Sequence, residues 1–252
     1  MTIVPVHISL DKTLITSFMG KSVYPVYVTI GNVPKEIRQK PSMCAQVLFA
    51  YLQVARLGHT GSSELNKCCV SQNLFHACMR QILNPLEAAG ADGVLMKSSD
   101  NLVRWCHPIL AIYAGDHPEQ CLVSCTKTSD CPKGDPSGPL GENVLCRSHD
   151  INSILEALDE YDPIQQPKEY INWCTSMGVK PVINPFWKFL LYANIHQSIT
   201  PDILHQLHQG VTKHLISWLQ TTFGTLELDQ RLCCLPLNHN IQNFLKGISN
   251  FS

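Results

Sequence analysis

Apolar and polar residues alternate at the start of the chain. Val4 to Leu10 is rich in Val and Ile and predicts a strand that runs into Asp11-Lys12-Thr13. Tyr24 to Ile30 predicts a second strand closed by Gly31-Asn32, and Gln46 to Val54 a third. Strands so close in sequence are most simply joined as an antiparallel meander. From Ser71 to Gly90 the period lengthens. Leu74, Cys78, Ile82 and Leu86 recur at helical spacing, Ser71 is suited to cap the start, Pro85 to kink the helix and Gly90 to end it. Val94-Leu95-Met96 and Leu102 to Trp105 flank Ser98-Ser99-Asp100-Asn101 as a hairpin. Ile109 to Tyr113 is a further short strand running into Gly115-Asp116.

Beyond Cys121 the composition changes. Cys121 to Cys146 is dense in Cys, Pro, Gly and Asp and reads as irregular. Helices are predicted over Asp150–Tyr161 and Gln165–Met177, then a Pro-rich connector over Pro181–Trp187. A last helix carries Ile203, Leu204, Leu207, Val211, Leu215 and Trp218, with Thr200 as its cap and Pro201 in its first turn. The order fits an α/β fold with a ribonuclease-H-like core: a three-stranded antiparallel meander plus a further strand. A mostly helical, Cys-containing insertion interrupts it. Residues 1–120 are expected to form the first part of the core and 121–252 the insertion region.

Composition narrows the class. With 252 residues and 44% hydrophobic content the chain can bury a real core, and only 15% charged residues argues against long disordered tracts. Lys and Arg total 19 against 20 Asp and Glu, a net charge of -1, without the basic excess of an autonomous DNA-binding domain. The start lacks the pattern of a signal peptide, and no apolar run approaches the ~20 residues that span a bilayer, so an intracellular protein is expected. Its twelve Cys are then thiols or metal ligands rather than disulfides.

Asp11 and Asp116 each follow a predicted strand. In a ribonuclease-H-like fold the first and fourth strands are neighbours, so acids at their ends come together and can hold divalent cations for phosphodiester chemistry. Aspartate after a strand is also an ordinary turn residue, and the pattern alone leaves both readings open.

Several motifs, in one order, resemble the Plavaka transposases, cut-and-paste elements of fungal genomes related to the CACTA-like group. They are Ser9-Leu10-Asp11-Lys12-Thr13; Tyr24 to Arg38; Phe75-His76-Ala77-Cys78-Met79; His107-Pro108-Ile109-Leu110-Ala111; Gly115-Asp116-His117-Pro118-Glu119-Gln120; Pro185-Phe186-Trp187; and Thr200 to Leu207. The resemblance implies a DDE-type core with Mg²⁺ or Mn²⁺ that cleaves and joins DNA at transposon ends, and hence a nuclear location. It implies Asp11 and Asp116 as catalytic, metal-binding acids, with His117 where related elements carry an aromatic residue. Asp100 is the rival second acid, although its Ser-Ser-Asp-Asn setting is explained by a turn. Asp202 and His205 match an Asp-x-x-His signature with a supporting role, though an acid in a first turn also simply favours the helix dipole.

The Cys-rich stretch offers Cys121, Cys125 and Cys131 as candidate zinc ligands. Relatives carry Cys-Pro-x-Cys where this chain reads Cys131-Pro132-Lys133-Gly134, which leaves Cys146 or His149 to complete the site; buried thiols are the alternative. The family's third acid, a Glu, follows Lys246-Gly247-Ile248-Ser249, and here the chain ends at Ser252. Glu227 and Asp229 come too early in that order. The expectation is therefore a C-terminally truncated transposase fragment with an incomplete acid set. Its alternative is a decayed or domesticated binding module that keeps the fold without the chemistry.

Overall fold

The structure, a computed structural model, describes residues 1–16, 21–54, 64–135 and 147–236. The predicted meander is present as β1 (Thr2–Leu10), β3 (Lys21–Ile30) and β4 (Val47–Gln53). A short β2 (Thr13–Thr16) lies between the first two. β1 and β2 are one path along the same edge of β3. Leu10 pairs with Val26 and Thr13 with Val23, the same register on either side of Asp11-Lys12, and it shifts only later, between Leu14 and Thr16. The alternation of β1 buries Val4, Val6, Ile8 and Leu10 on one face.

Against that face packs α1 (Glu64–Asp92), longer than its predicted span because it begins before Ser71, which lies inside it and caps nothing. Phe75, Met79 and Leu83 are buried at four-residue spacing, each worth roughly 1.5–3 kcal/mol of transfer free energy. Gly90 does not end the helix. A Cβ there would lie 3.0 Å from the Pro108 carbonyl oxygen, so this glycine admits the neighbouring strand. The stop is Gly93, at φ +76°.

The hairpin forms as predicted between β5 (Val94–Lys97) and β6 (Val103–Gly115). The two short strands expected on either side of Pro108 are one strand of 13 residues. β6 runs parallel to β1. On its other edge it pairs with β5 over Val103–Cys106 and with β7 (Ile199–Pro201) over Tyr113–Gly115. Pro108 falls in the gap between these two, where a sheet tolerates a missing N–H. The sheet order is thus β4-β3-β1-β6, with β5 and β7 sharing the outer edge of β6. Thr200 and Pro201 belong to β7 and not to a helix start.

Between β6 and β7 the chain forms α2 (His117–Val123), α3 (Ile151–Asp159, capped by Asp150) and α4 (Pro167–Ser176). Cys121 is therefore helical rather than part of an irregular stretch. The core here is Ile154, Leu158, Tyr170, Phe186 and Trp187. Asn73 of α1 ties the 181–183 connector down, donating to Pro181 O at 3.2 Å and accepting from Ile183 N at 2.6 Å.

Met1–Pro201 is one compact unit, and a second begins at Asp202. The second contains a π-helical segment (Ile203–Thr212), α5 (Lys213–Phe223) and α6 (Thr225–Cys233). Ile203, Leu207, Val211 and Trp218 have the predicted helical spacing but are at least half exposed. Among the described residues no helix is long and apolar enough to cross a membrane.

Candidate active site

β1 and β6 are parallel neighbours with Ser9 opposite Ala114, so they end together, at Leu10 and Gly115. Asp11 and Asp116 are the first residues beyond those ends. Asp11 is exposed and Asp116 half-buried. Tyr24, from β3, shares this corner. Its phenol is pushed up to about 12, by burial first and then by the negative charges of Glu119, Asp116 and Asp11. Tyr113, fully buried, is raised by burial and then by Glu119, Tyr24 and Asp116. Its hydroxyl has no hydrogen-bond partner among the described residues. Three carboxylates and two phenols thus share one region of negative potential.

Glu119 escaped the sequence reading. It is only 3% exposed. Its position three residues after Asp116 is that of a capping-box glutamate, normally a surface residue, so no sequence signal marks its burial. Its carboxylate occupies the room beside Gly115. A Cβ on Gly115 would lie 2.8 Å from Glu119 Oε2, so a side chain there would require that carboxyl to shift.

The helix that carries this acid is pinned at both ends. Asp116 is its N-cap, accepting from Glu119 N at 2.9 Å. Gln120 Nε2 donates to Gly115 O at 2.8 Å and to Thr200 O at 3.2 Å, stapling the helix to β6 and β7. At the other end three of the last carbonyls take side-chain donors. Lys180 Nζ donates to Cys121 O at 3.0 Å, His76 Nε2 to Leu122 O at 3.0 Å, and Trp187 Nε1 to Val123 O at 2.7 Å. Residues from the segment before β7 and from α1 thus hold a helix of only 7 residues.

His76 makes this arrangement acid-labile. Leu122 O can only accept, so Nε2 carries the proton, and Nδ1 accepts from Phe186 N at 3.4 Å. Burial lowers its pKa from 6.5 to about 4, despite the Leu122 hydrogen bond. A depressed histidine contributes stability in full above the ordinary value of 6.5, and this is lost as pH falls toward about 4. Urea denaturation is expected to show a loss of roughly 3 kcal/mol across that window, smaller in His76→Gln. Equal slopes in the two proteins would exclude His76 as the source.

Residues 1–219 match the family model described as Plavaka transposase. The chain belongs to the Plavaka transposase family. No curated protein and no solved structure matches it. The Plavaka match covers every candidate discussed here; Lys246-Gly247-Ile248-Ser249 lies beyond the match and outside the described residues.

The other candidates of this Plavaka chain are placed differently. Asp100 is a turn residue: it accepts from Leu102 N at 3.1 Å and binds Arg104 through both oxygens. Arg104 holds its carboxyl well below the usual range. Asp202 caps the π-helical segment, accepting from Leu204 N at 2.9 Å and His205 N at 3.3 Å, and pairs with the His205 imidazole. Burial raises the Asp202 pKa, but these hydrogen bonds outweigh it and leave the carboxyl below its ordinary value.

The candidate zinc thiols have separate surroundings. Cys121 Sγ contacts the His117 ring at 3.7 Å and Cys125 Sγ the His76 ring at 3.8 Å, while His149 Nε2 donates to Cys131 O at 2.8 Å. Among the described residues no three His, Cys, Asp or Glu side chains are grouped to hold a metal ion. Cys146 lies outside the described residues.

Proposed function

We propose that Met1–Pro201 is a ribonuclease-H-like transposase core and that Asp11 and Asp116 are its metal-binding catalytic acids, acting on the phosphodiesters of transposon-end DNA. The observation that carries this reading is the common end of two adjacent parallel strands with an aspartate immediately beyond each. The strand order supports it: an antiparallel meander, a strand parallel to its first member, and β7 parallel to that. On this reading β7 belongs to the core, and the insertion runs over 117–198 instead of the 121–252 expected from the sequence. The charges of Glu119 and Asp116 reach both Tyr24 and Tyr113, and that of Asp11 reaches Tyr24, which also supports it.

Asp11 and Asp116 would hold Mg²⁺ or Mn²⁺, which when bound polarises a phosphoryl oxygen and lowers the pKa of water. The chain's own part is positional. Asp11 directly follows Leu10, the last paired residue of β1, and Asp116 is held by its capping bond. Glu119, buried, acts electrostatically on Tyr24 and Tyr113. A nuclear location follows from the substrate. The second reading, a binding module without chemistry, is favoured by the net charge of -1.

Calorimetry separates the two. The wild-type chain is expected to bind Mn²⁺, and Asp11→Asn to bind it on the order of 100-fold more weakly while melting normally, since a lost ligand costs at least what a lost supporting partner does. A wild-type chain that takes up no Mn²⁺ leaves only the binding module.

A further inference from the structure

The strand path continues past the acids. Thr13 pairs with Val23 and Val23 with Gln53, so β2, the start of β3 and the end of β4 extend the sheet as a ribbon beyond Asp11. One side of that ribbon forms a groove of ≈640 Å³ lined by Lys12, Ile15, Lys21, Ser22, Val23, Tyr51, Gln53 and Val54. Lys12 directly follows Asp11 in the chain.

The lining has a chemical character of its own. Among the described residues it carries two lysines and no acid, in a chain whose net charge is -1. Both lysines are exposed, and among the described residues neither makes an ion pair or a side-chain hydrogen bond. Tyr51 is 65% exposed although it sits inside a strand. An aromatic ring left open beside unpaired ammonium groups is the combination that binds unpaired nucleic acid: lysines take phosphates and the ring stacks on a base. Gln53 adds an amide that can hydrogen-bond to a base edge. The volume falls within the ~300–1,000 Å³ of a small-ligand site, enough for a nucleotide or so.

We propose that this groove holds the unpaired strand flanking the cleavage point, with Lys12 and Lys21 on its phosphates and Tyr51 stacked on a base. The inference rests on the reading of Asp11 and Asp116 as a DNA-cleaving site and assigns where the substrate leaves that site. It gives a near-neutral chain a local means of holding DNA that its overall charge does not supply.

The test is fluorescence anisotropy of the full chain with a labelled single-stranded oligonucleotide of about ten thymidines, within the range of site sizes for one binding surface. The wild type is expected to bind with an affinity that falls with salt. The double variant Lys12→Ala/Lys21→Ala is expected to bind about tenfold more weakly, with a log–log salt slope smaller by about 1.4, the share of two single-strand phosphates. Tyr51→Ala is expected to lose about tenfold, and Tyr51→Phe to keep wild-type affinity because stacking needs the ring and not the hydroxyl. These side chains are exposed, so melting temperatures should hold and certify the folds. Unchanged affinity in the variants, no binding by the wild type, or a duplex that competes better than the single strand would each overturn the proposal. Mn²⁺ calorimetry on the same preparations separates the failures. Mn²⁺ binding without groove-dependent DNA binding removes the groove and keeps the acids; absence of both removes both.

Discussion

Asp116→Ala and Asp116→Asn are expected to lose Mn²⁺ binding alike and to differ in stability. Asp116 does two things. Its carboxylate caps α2 through Glu119 N, and its charge stands beside those of Asp11 and Glu119, as Tyr24 registers. Alanine removes both functions. The lost cap costs about 1 kcal/mol, within a range of roughly 0.5–2, and lowers the melting temperature by about 2–4 °C in a chain of this size. Asparagine keeps a side-chain oxygen for the cap and removes one of several like charges, so its melting temperature should equal or exceed the wild type's. On the proposed reading either change takes a charged oxygen ligand from the cation, and Mn²⁺ affinity is expected to fall on the order of 100-fold in both. Calorimetry and thermal melts on the three proteins check this. If both variants keep wild-type Mn²⁺ affinity, Asp116 is only a cap. If asparagine destabilises as much as alanine, the capping account is wrong.

The meander and the two aspartates were readable in the sequence because both are local. Alternation in Val4–Leu10 and Tyr24–Ile30 sets a face, and an acid at the end of such a run is visible without knowing its neighbours. What stayed hidden depends on contacts distant in sequence. Pro108 reads as a strand break and is not one, because only the pairing of β5 and β7 shows that it faces a gap. Thr200-Pro201 has the local chemistry of a helix start, yet pairing with Ala114 and Gly115 makes it a strand and moves the cap to Asp202. Gly90 looks like a helix stop and is a contact point for Pro108. Glu119 is the most consequential case. Its burial beneath the site comes from Gly115, Tyr113 and the pinning of α2, and no spacing within Asp116-His117-Pro118-Glu119 encodes it.

That pinning makes Trp187 the side chain whose loss should cost the most. It is 1% exposed, packs in the main core, and donates from its indole to Val123 O at 2.7 Å. Trp187→Ala removes the ring and leaves a cavity, costing about 3–5 kcal/mol. It also strands the Val123 carbonyl, adding about 1–3 kcal/mol. Against a total stability of about 5–15 kcal/mol this leaves a chain largely unfolded or close to it. Trp187→Phe separates the two contributions. It keeps most of the packing and loses the donor, so its cost should sit near the carbonyl contribution with a small packing loss beside it. Urea denaturation followed by circular dichroism, which does not depend on the indole being replaced, reads both. The phenylalanine variant also links the core to the chemistry. Without the indole bond the far end of α2 has one anchor fewer, while Asp116 still caps the near end and Gln120 still holds Gly115 and Thr200. Mn²⁺ affinity in Trp187→Phe should therefore fall only a few-fold, well short of the loss at Asp116, where outer positions cost about 10–100-fold at most. A full loss of Mn²⁺ binding in a folded Trp187→Phe would mean that the acids depend on the far end of the helix as much as on their own strand ends, and the geometry of β1 and β6 would no longer suffice to explain the site.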